Sequence, residues 1–548
     1  MTAPAQARPG ATPAAADLAE LFRDTIGAAE FGPDDSFFRA GGSSLDAMRL
    51  VARLHQRYGV PVTLADLFAQ STPRGLAERL ATLATTTAPT RRRSISVTAR
   101  RRRRGSPLSA SQRLFHDMDR ASGGLAFFNA VDVFRFTGEV DPDAVVAAVD
   151  GLVARQWALR TVVAELDGEP VQRVVERAAP IRHVDLRGAP PARLRKLVRR
   201  ENLTGFDLHA DVPARFTLVR VADDEWQLVS CVHHIAYDGV SRGLILDELA
   251  QGYAARTGGG PEPTPPTVQY VDFAEWQHDT LTGERLADHL TGLAGMLDRP
   301  APRLTGDREP ARGHIVRTGH FALPEGSEAG LRAAAAAAGV SYVAVLAAGL
   351  ARFGARHTGQ RRQVFGMQVA NRGWPGSDRV VGCFSNLLPV AVDLDPAASA
   401  TDHVTAVHEA TGRALRHEEM PFEHALGLLA AQGRDLAAAG HLPSVGLAFH
   451  PISRSVRELP GCLLEVRPAL EIGDEVDPTS FGLVLELWSD GGLRGITRHL
   501  VDSWPGDSFA AAEHGLRAAF SDLTAPTVGP DTAADPVGAG GRGETTPA

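Results

Sequence analysis

Residues 85–107 read TTTAPTRRRSISVTARRRRRGSP, a stretch that no packed core can take in. Two arginine runs, Arg91 to Arg93 and Arg100 to Arg104, repel along the backbone, and Pro89, Gly105 and Pro107 interrupt any regular element. The segment 85–106 therefore reads as an extended linker, and it divides the chain into a small unit of about 70 residues and a large one of over 400. Such basic runs also suit a nucleic-acid or membrane patch, but a net charge of -8 over 548 residues argues against general nucleic-acid binding, which needs a basic face to displace counterions from phosphates. No apolar run approaches the ~20 residues of a membrane span, so no membrane association is expected. The three cysteines, Cys231, Cys383 and Cys462, are an odd number at wide spacing, which fits neither a disulfide framework nor a zinc site and suits a reducing cytoplasm. Lys196 is the single lysine; with so much Ala and Gly, that skew reads as coding bias. Residues 1–16 lack the pattern of a secretory signal and read as a disordered tail, as does 524–548.

Hydrophobic spacing supplies the elements. In 17–84, Leu18, Leu21, Phe22 and Ile26 recur at helical intervals, as do Leu45, Met48, Val51 and Leu54. Gly59 and Pro61 read as stops and Ser71-Thr72-Pro73 as the opening of a last helix, so four short helices on one core are expected. In 107–523, Val131, Val133 and Phe134 read as strand, 144–153 as helix, 225–232 as a strand running into a turn, and 243–255 as helix again. This α/β unit exceeds a comfortable single core. A Pro-rich crossing at 258–266 suggests two lobes, about 107–275 and 276–523.

The first chemical motif is Asp35-Ser-Phe-Phe-Arg-Ala-Gly-Gly-Ser-Ser-Leu-Asp46. Taken alone it is a helix start, with Ser43 or Ser44 as cap and Gly41 and Gly42 as the bend. The order of acidic residue, aromatic pair, glycine pair and serine resembles the attachment site of acyl and peptidyl carrier proteins. That resemblance implies 4'-phosphopantetheine carried covalently on Ser44, installed by a phosphopantetheinyl transferase. Ala40 and Ser43 depart from the family pattern. A phosphodiester at a helix N-terminus meets free N–H groups and the positive end of the dipole.

The second motif, His233-His-Ile-Ala-Tyr-Asp-Gly239, follows the strand pattern and precedes a helix. A metal would need a third or fourth ligand at suitable spacing, and none is evident, so no metal site is expected. A turn after the strand is expected to bring Asp238 back to orient the histidines, with Gly239 leaving room for substrate and offering an N–H to an oxyanion. The full HHxxxDG resembles condensation domains of nonribosomal peptide synthetases and, more broadly, chloramphenicol-acetyltransferase-like acyltransferases. Further segments match the same family in order: Pro107–Gln112, Arg155–Thr161, Tyr270–Gln277, Asn371-Arg372, Gly382–Pro389 and His417–Glu423. Departures fall at Gln156, Trp157, Leu387, Ala391 and Gly482.

The resemblance implies a multidomain chain: a small all-α four-helix carrier, then a two-lobed α/β chloramphenicol-acetyltransferase-like condensation domain. It implies that His234 acts as base or positioner of the attacking nucleophile, with His233, Asp238 and Gly239 beside it. It further implies a structural ion pair between Asp238 and Arg372, with Asn386 and Ser241 lining or supporting the tunnel. No segment resembles an adenylation domain, so a separate adenylation enzyme is expected to load the carrier. The acceptor is either on another carrier protein or a free small-molecule nucleophile, giving an amide or an ester. Two rivals stand beside this reading. An epimerase shares HHxxxDG but carries an EGHGRE-like segment absent here, and a non-catalytic recruitment domain would be expected to lose the histidines.

Overall fold

The computed structural model describes residues 13–58, 62–86, 105–123, 126–304, 316–374, 376–450, 456–468, 481–489, 492–501, 504 and 508–524. Gly59, Pro61, both arginine runs and nearly all of both expected tails lie outside the described residues. The N-terminal unit holds four helices, Ala15–Ile26, Ser44–Tyr58, Leu64–Ala69 and Pro73–Thr86. The first begins inside the segment expected to be a tail, and Gly27 at φ 70° ends it in a left-handed cap. The third is opened by a capping box between Thr63 and Asp66. The fourth runs two residues into the expected linker, reaching Thr86. Leu18, Phe22, Phe37, Leu50, Val51, Leu67 and Leu76 are fully buried in one core, each contributing roughly 1.5–3 kcal/mol relative to exposure.

The large unit has strands β1 (Ser106–Pro107), β2 (Asn129–Gly138), β3 (Thr161–Leu166), β4 (Glu169–Val174), β5 (Ile181–Asp185), β6 (Ala214–Arg220) and β7 (Glu225–His233) in its first half. Its second half supplies β8 (Val316–Ala322), β9 (Arg362–Val369), β10 (Asn386–Asp393), β11 (Val445–His450), β12 (Val456–Leu459), β13 (Cys462–Pro468), β14 (Leu483–Ser489) and β15 (Leu493–Leu500). They form a small sheet β1-β4-β3 and two six-stranded sheets, β12-β13-β2-β7-β6-β5 and β10-β9-β11-β14-β15-β8.

The lobes are therefore not the two consecutive halves that the Pro-rich crossing suggested. The hairpin β12-β13 leaves the second half and extends the first lobe's sheet, pairing antiparallel with β2. Alternation explains the crossing: Cys462, Leu464 and Val466 share one strand face and bury in the first lobe's core with Phe134, Phe136 and Leu228. Helices Pro142–Arg155 and Gly239–Arg256 contribute to the same core. In the second lobe the helix Tyr342–Thr358 is buried along most of its length between its sheet and the helices Ala400–Leu415 and Ser508–Ser521.

Candidate active site

The carrier motif folds as a sharp turn onto a helix. Gly41 adopts φ 89°, and a Cβ on Gly42 would lie 2.4 Å from the Phe37 ring, so the buried aromatic beneath the turn requires glycine there. Ser43 is the cap: its Oγ accepts from Asp46 N–H at 3.2 Å and donates to Asp46 Oδ2 at 2.6 Å. Ser44 is left as the first residue of the helix Ser44–Tyr58. A phosphate ester at that position meets the unpaired N–H groups of a first turn, so the local fold fits the phosphopantetheine group that the motif implies.

The carrier rests on the large unit through its third helix. The Phe68 ring stacks on His408 of the helix Ala400–Leu415 with centroids 5.0 Å apart, and Phe38 meets the same imidazole edge-on at 5.6 Å. Leu64 and Phe68 then line a cavity of about 1320 Å³, mouth included, whose other walls include Asp238 to Val240, Arg242, Gly243, Met367 to Ala370, Ser385, Phe449 and His450.

The second motif is built at the end of β7. Pairing of His233 with Asn129 of β2 ends the ladder, and a 3₁₀ turn over His234–Ala236 follows. The next helix starts at Gly239, four residues earlier than hydrophobic spacing suggested, because Asp238 caps it by accepting from Ser241 N–H at 2.9 Å.

The turn separates the two histidines. His233 is 2% exposed; its Nδ1 accepts from Ile235 N–H at 3.1 Å, its Nε2 points toward Asp119 at 3.7 Å, and Phe128 and Phe206 wall the ring. His234 instead lines a second cavity of about 870 Å³ together with Ser111, Asn386, Glu423, Glu486 and Arg498. Phe115, which the sequence reading did not single out, stacks on His234 with centroids at 5.2 Å and planes 16° apart. Its signal was available three residues after Gln112, in the opening motif. The two cavities share the wall formed by Gln368 and Ser385.

Asp238 does not turn back to the imidazoles, as the spacing suggested. Both its oxygens are engaged elsewhere: Arg372 Nη2 donates to them at 2.8 and 3.0 Å, Ser241 Oγ donates at 2.8 Å, and Phe384 N–H donates at 3.1 Å. Arg372 is completed by Ser377 O at 2.5 Å, Val380 O at 2.7 Å and the Phe384 face at 4.3 Å, leaving it 2% exposed. Ser241 is fully buried in this web rather than on a cavity wall. The pair thus holds the Gly239–Arg256 helix start, on the cavity wall, against the second lobe.

Other motif residues meet around it. Tyr270 donates to Cys383 O at 2.7 Å and bonds Ser109 at 2.8 Å, and Gly382 must be glycine because a Cβ would fall 2.1 Å from the Tyr270 ring. Gln156, one of the departures from the family pattern, bridges the lobes, donating to Arg379 O and accepting from Val381 N–H at 2.9 Å. Asn386 clamps the segment that carries Glu423: its Nδ2 donates to Glu418 O and Met420 O, and its Oδ1 accepts from Phe422 N–H at 3.1 Å. Burial raises the Glu423 carboxyl above its usual range and pushes Glu418 up to about 8. Among the described residues no cluster of three or more His, Cys, Asp or Glu could hold a metal ion, and no single helix is long and apolar enough to cross a membrane.

Comparison with known proteins covers both units. Residues 16–80 match the family described as "Phosphopantetheine attachment site", and residues 103–437 match "Condensation domain". The chain is 31% identical over 495 residues, 87% of its length, to the probable non-canonical nonribosomal peptide synthetase CymA of Salinispora arenicola, and 31% identical over 90% of its length to a dimodular nonribosomal peptide synthase of Bacillus subtilis. It is 30% identical over 75% of its length to phosphinothricin tripeptide synthetase PhsB of Streptomyces viridochromogenes. It spans only 6%, 21% and 35% of these three relatives. Among solved structures, the first condensation domain of the calcium-dependent antibiotic synthetase superposes with TM-score 0.65 at 22% identity, covering 77% of this chain and 96% of that one. The X-domain in complex with OxyB from teicoplanin biosynthesis gives 0.63 at 25% identity, covering 77% and 93%.

Proposed function

The chain belongs to the condensation-domain family of nonribosomal peptide synthetases, with a phosphopantetheine carrier domain in front, and from that premise we propose that its own carrier feeds the donor side of its own condensation site. The observation that carries this reading is the placement of Leu64 and Phe68. They line one cavity, and that cavity shares its Gln368 and Ser385 wall with the one that holds His234.

In this reading an acyl thioester on Ser44 enters beneath Leu64 and Phe68, and an acceptor amine approaches from the His234 side. The amine nitrogen forms a bond to the thioester carbon and the carbon–sulfur bond breaks. The proton lost by nitrogen passes by way of His234 to the departing thiolate. Phe115 fixes the imidazole plane, and His233 shapes the turn from within the core. The Gly239 N–H, at the start of the Gly239–Arg256 helix, is the donor offered to the developing oxyanion. The acceptor is an amine on a second carrier or a free small molecule, and a hydroxyl acceptor would give an ester by the same steps. Carrier and condensation domains of this kind depend on adenylation partners and a phosphopantetheinyl transferase.

Intact-protein mass spectrometry tests the reading. Incubation with acyl-coenzyme A and a broad-specificity phosphopantetheinyl transferase should add one acyl-phosphopantetheine mass, and Ser44→Ala should abolish the gain. Adding an amine acceptor should release the acyl group as amide, and His234→Ala should load normally but transfer ~10² to 10⁴ more slowly. Full-rate transfer by His234→Ala would remove this residue from the mechanism. Epimerisation is the second reading, favoured by the Glu423 carboxyl in the His234 cavity. Run in D2O without acceptor, the same assay would reveal it as deuterium gained by the bound aminoacyl group.

A further inference from the structure

The cavity lined by Leu64 and Phe68 is apolar over most of its wall, with Val240, Leu246, Val343, Met367 and Phe449 among its lining, but one side carries Arg242 and His450. Arg242 lies on the Gly239–Arg256 helix, and its Nε stands 2.7 Å from Oδ1 of Asp132 on β2. Asp132 is 4% exposed and also accepts a bond from the buried Tyr237 hydroxyl. His450 ends β11, with its Nδ1 3.0 Å from where a Cβ on Gly239 would sit. Behind them, the Glu486–Arg498 pair at 3.5 Å faces the second cavity, and its charges bear on His450.

The structure contains a standard for a purely structural arginine. Arg372 donates to one carboxylate, one hydroxyl and two backbone carbonyls and is 2% exposed. Arg242 is different: 27% of its side chain remains exposed, it lines the cavity, and its neighbours there are the Asp132 carboxylate and the Tyr237 hydroxyl. Asp132 offsets its charge without enclosing the guanidinium. A group entering this cavity with nothing but methyls at that wall would strip water from Arg242 and His450 and return no hydrogen bond.

We propose that Arg242 and His450 select the donor, and that the acyl group carried on Ser44 has an apolar body and a side-chain oxygen that accepts hydrogen bonds, of the carboxamide or carboxylate kind. Hydrogen bonds from a charged donor are about twice as strong as neutral ones, so the guanidinium discriminates even though it is already paired. The inference rests on the reading of this cavity as the donor side.

The test compares donors of similar length on the full chain. Glutaminyl-, glutamyl- and norleucyl-phosphopantetheine are installed on Ser44 from the corresponding aminoacyl-coenzyme A, one amine acceptor is supplied in excess, and single-turnover transfer is followed by intact-protein mass spectrometry. The expected result is that the glutaminyl or the glutamyl donor, or both, outruns norleucyl by at least about tenfold, below the ~10⁴ that a fully enclosed hydrogen-bonding site reaches. Whichever of the two leads shows whether the oxygen is neutral or charged. In the double variant Asp132→Asn/Arg242→Met the ratio should fall to near one, while Arg242→Lys, which keeps the cation, should retain part of it. A ratio within one variant does not depend on how much of the preparation folds. Norleucyl transfer as fast as both polar donors in the wild type, or an unchanged ratio in the double variant, overturns the inference. Absence of transfer from all three donors overturns the donor-side reading beneath it.

Discussion

Replacing Arg372 with Met should unfold the condensation domain before it impairs any chemistry. The substitution removes both bonds to Asp238 and those to Ser377 O and Val380 O, and it leaves a carboxylate that is 1% exposed holding only the Ser241 and Phe384 donors. Breaking a buried pair on one side costs about 3 to 5 kcal/mol, because the remaining charge has neither partner nor water. At 1.4 kcal/mol per factor of ten, that is roughly 10² to 10³·⁵ in the ratio of folded to unfolded chain. Asp238→Asn keeps an oxygen to cap the helix but discards the charge, stranding Arg372 instead, and should cost a similar amount. The double variant Asp238→Asn/Arg372→Met strands neither, so it should be less destabilised than the sum of the singles by at least about 1 kcal/mol. Urea titration followed by tryptophan fluorescence measures all four proteins, since Trp276 and Trp374 lie in the same core as this web. Single variants within about 1 kcal/mol of wild type, or a double variant equal to the sum, would refute the assignment of the pair to holding the lobes together.

Glu418 is buried, its Oε2 has no hydrogen-bond partner among the described residues, and its carboxyl is pushed up to about 8. Below about pH 4.5 it is protonated folded and unfolded alike; between there and pH 8 only the unfolded chain gives up the proton, so stability falls as pH rises. Glu418→Gln should therefore be nearly neutral at pH 5 and stabilising by on the order of 4 kcal/mol at pH 8, read as a pH-dependent shift in the urea midpoint. Gly239→Ala brings a Cβ to 3.0 Å from His450 Nδ1, so the ring must give way by a few tenths of an ångström; a loss of about 1 to 3 kcal/mol is expected in a denaturant titration, with single-turnover transfer of bulky donors slowed most if the cavity is the donor side. His408→Ala removes the aromatic contacts to Phe38 and Phe68, worth about 0.5–1.5 kcal/mol, and should slow transfer from the chain's own carrier by roughly 2- to 12-fold. Equal rates in a single-turnover assay would show that this contact does not hold the carrier in place.

Much of the site was legible where its logic is local. Asp35 to Asp46 encodes its own turn, because a glycine pair over a buried Phe37 and a capping serine act within a dozen residues. The HHxxxDG order likewise encodes strand end, turn and helix start. It misled on Asp238, since spacing suggested a return to the histidines while the helix cap and Arg372 took both oxygens. Phe115 and Gln156 went unread as site residues because each acts on a partner far along the chain: His234 for one, Arg379 and Val381 for the other.

The sequence by itself determined the division into a small helical unit and a large α/β unit, the serine that begins the small unit's second helix, and the histidine turn. These follow from periodicities and turn chemistry that act over a few residues. Only the tertiary structure decided that β12 and β13 join the opposite lobe's sheet, that His234 and not His233 opens to a cavity, that the carrier's Leu64 and Phe68 line the other cavity, and that Asp132 faces Arg242 there. Each of these depends on which surfaces come to face one another when apolar strand faces and aromatic rings are buried, and a linear pattern records that a surface is apolar without recording what it will meet.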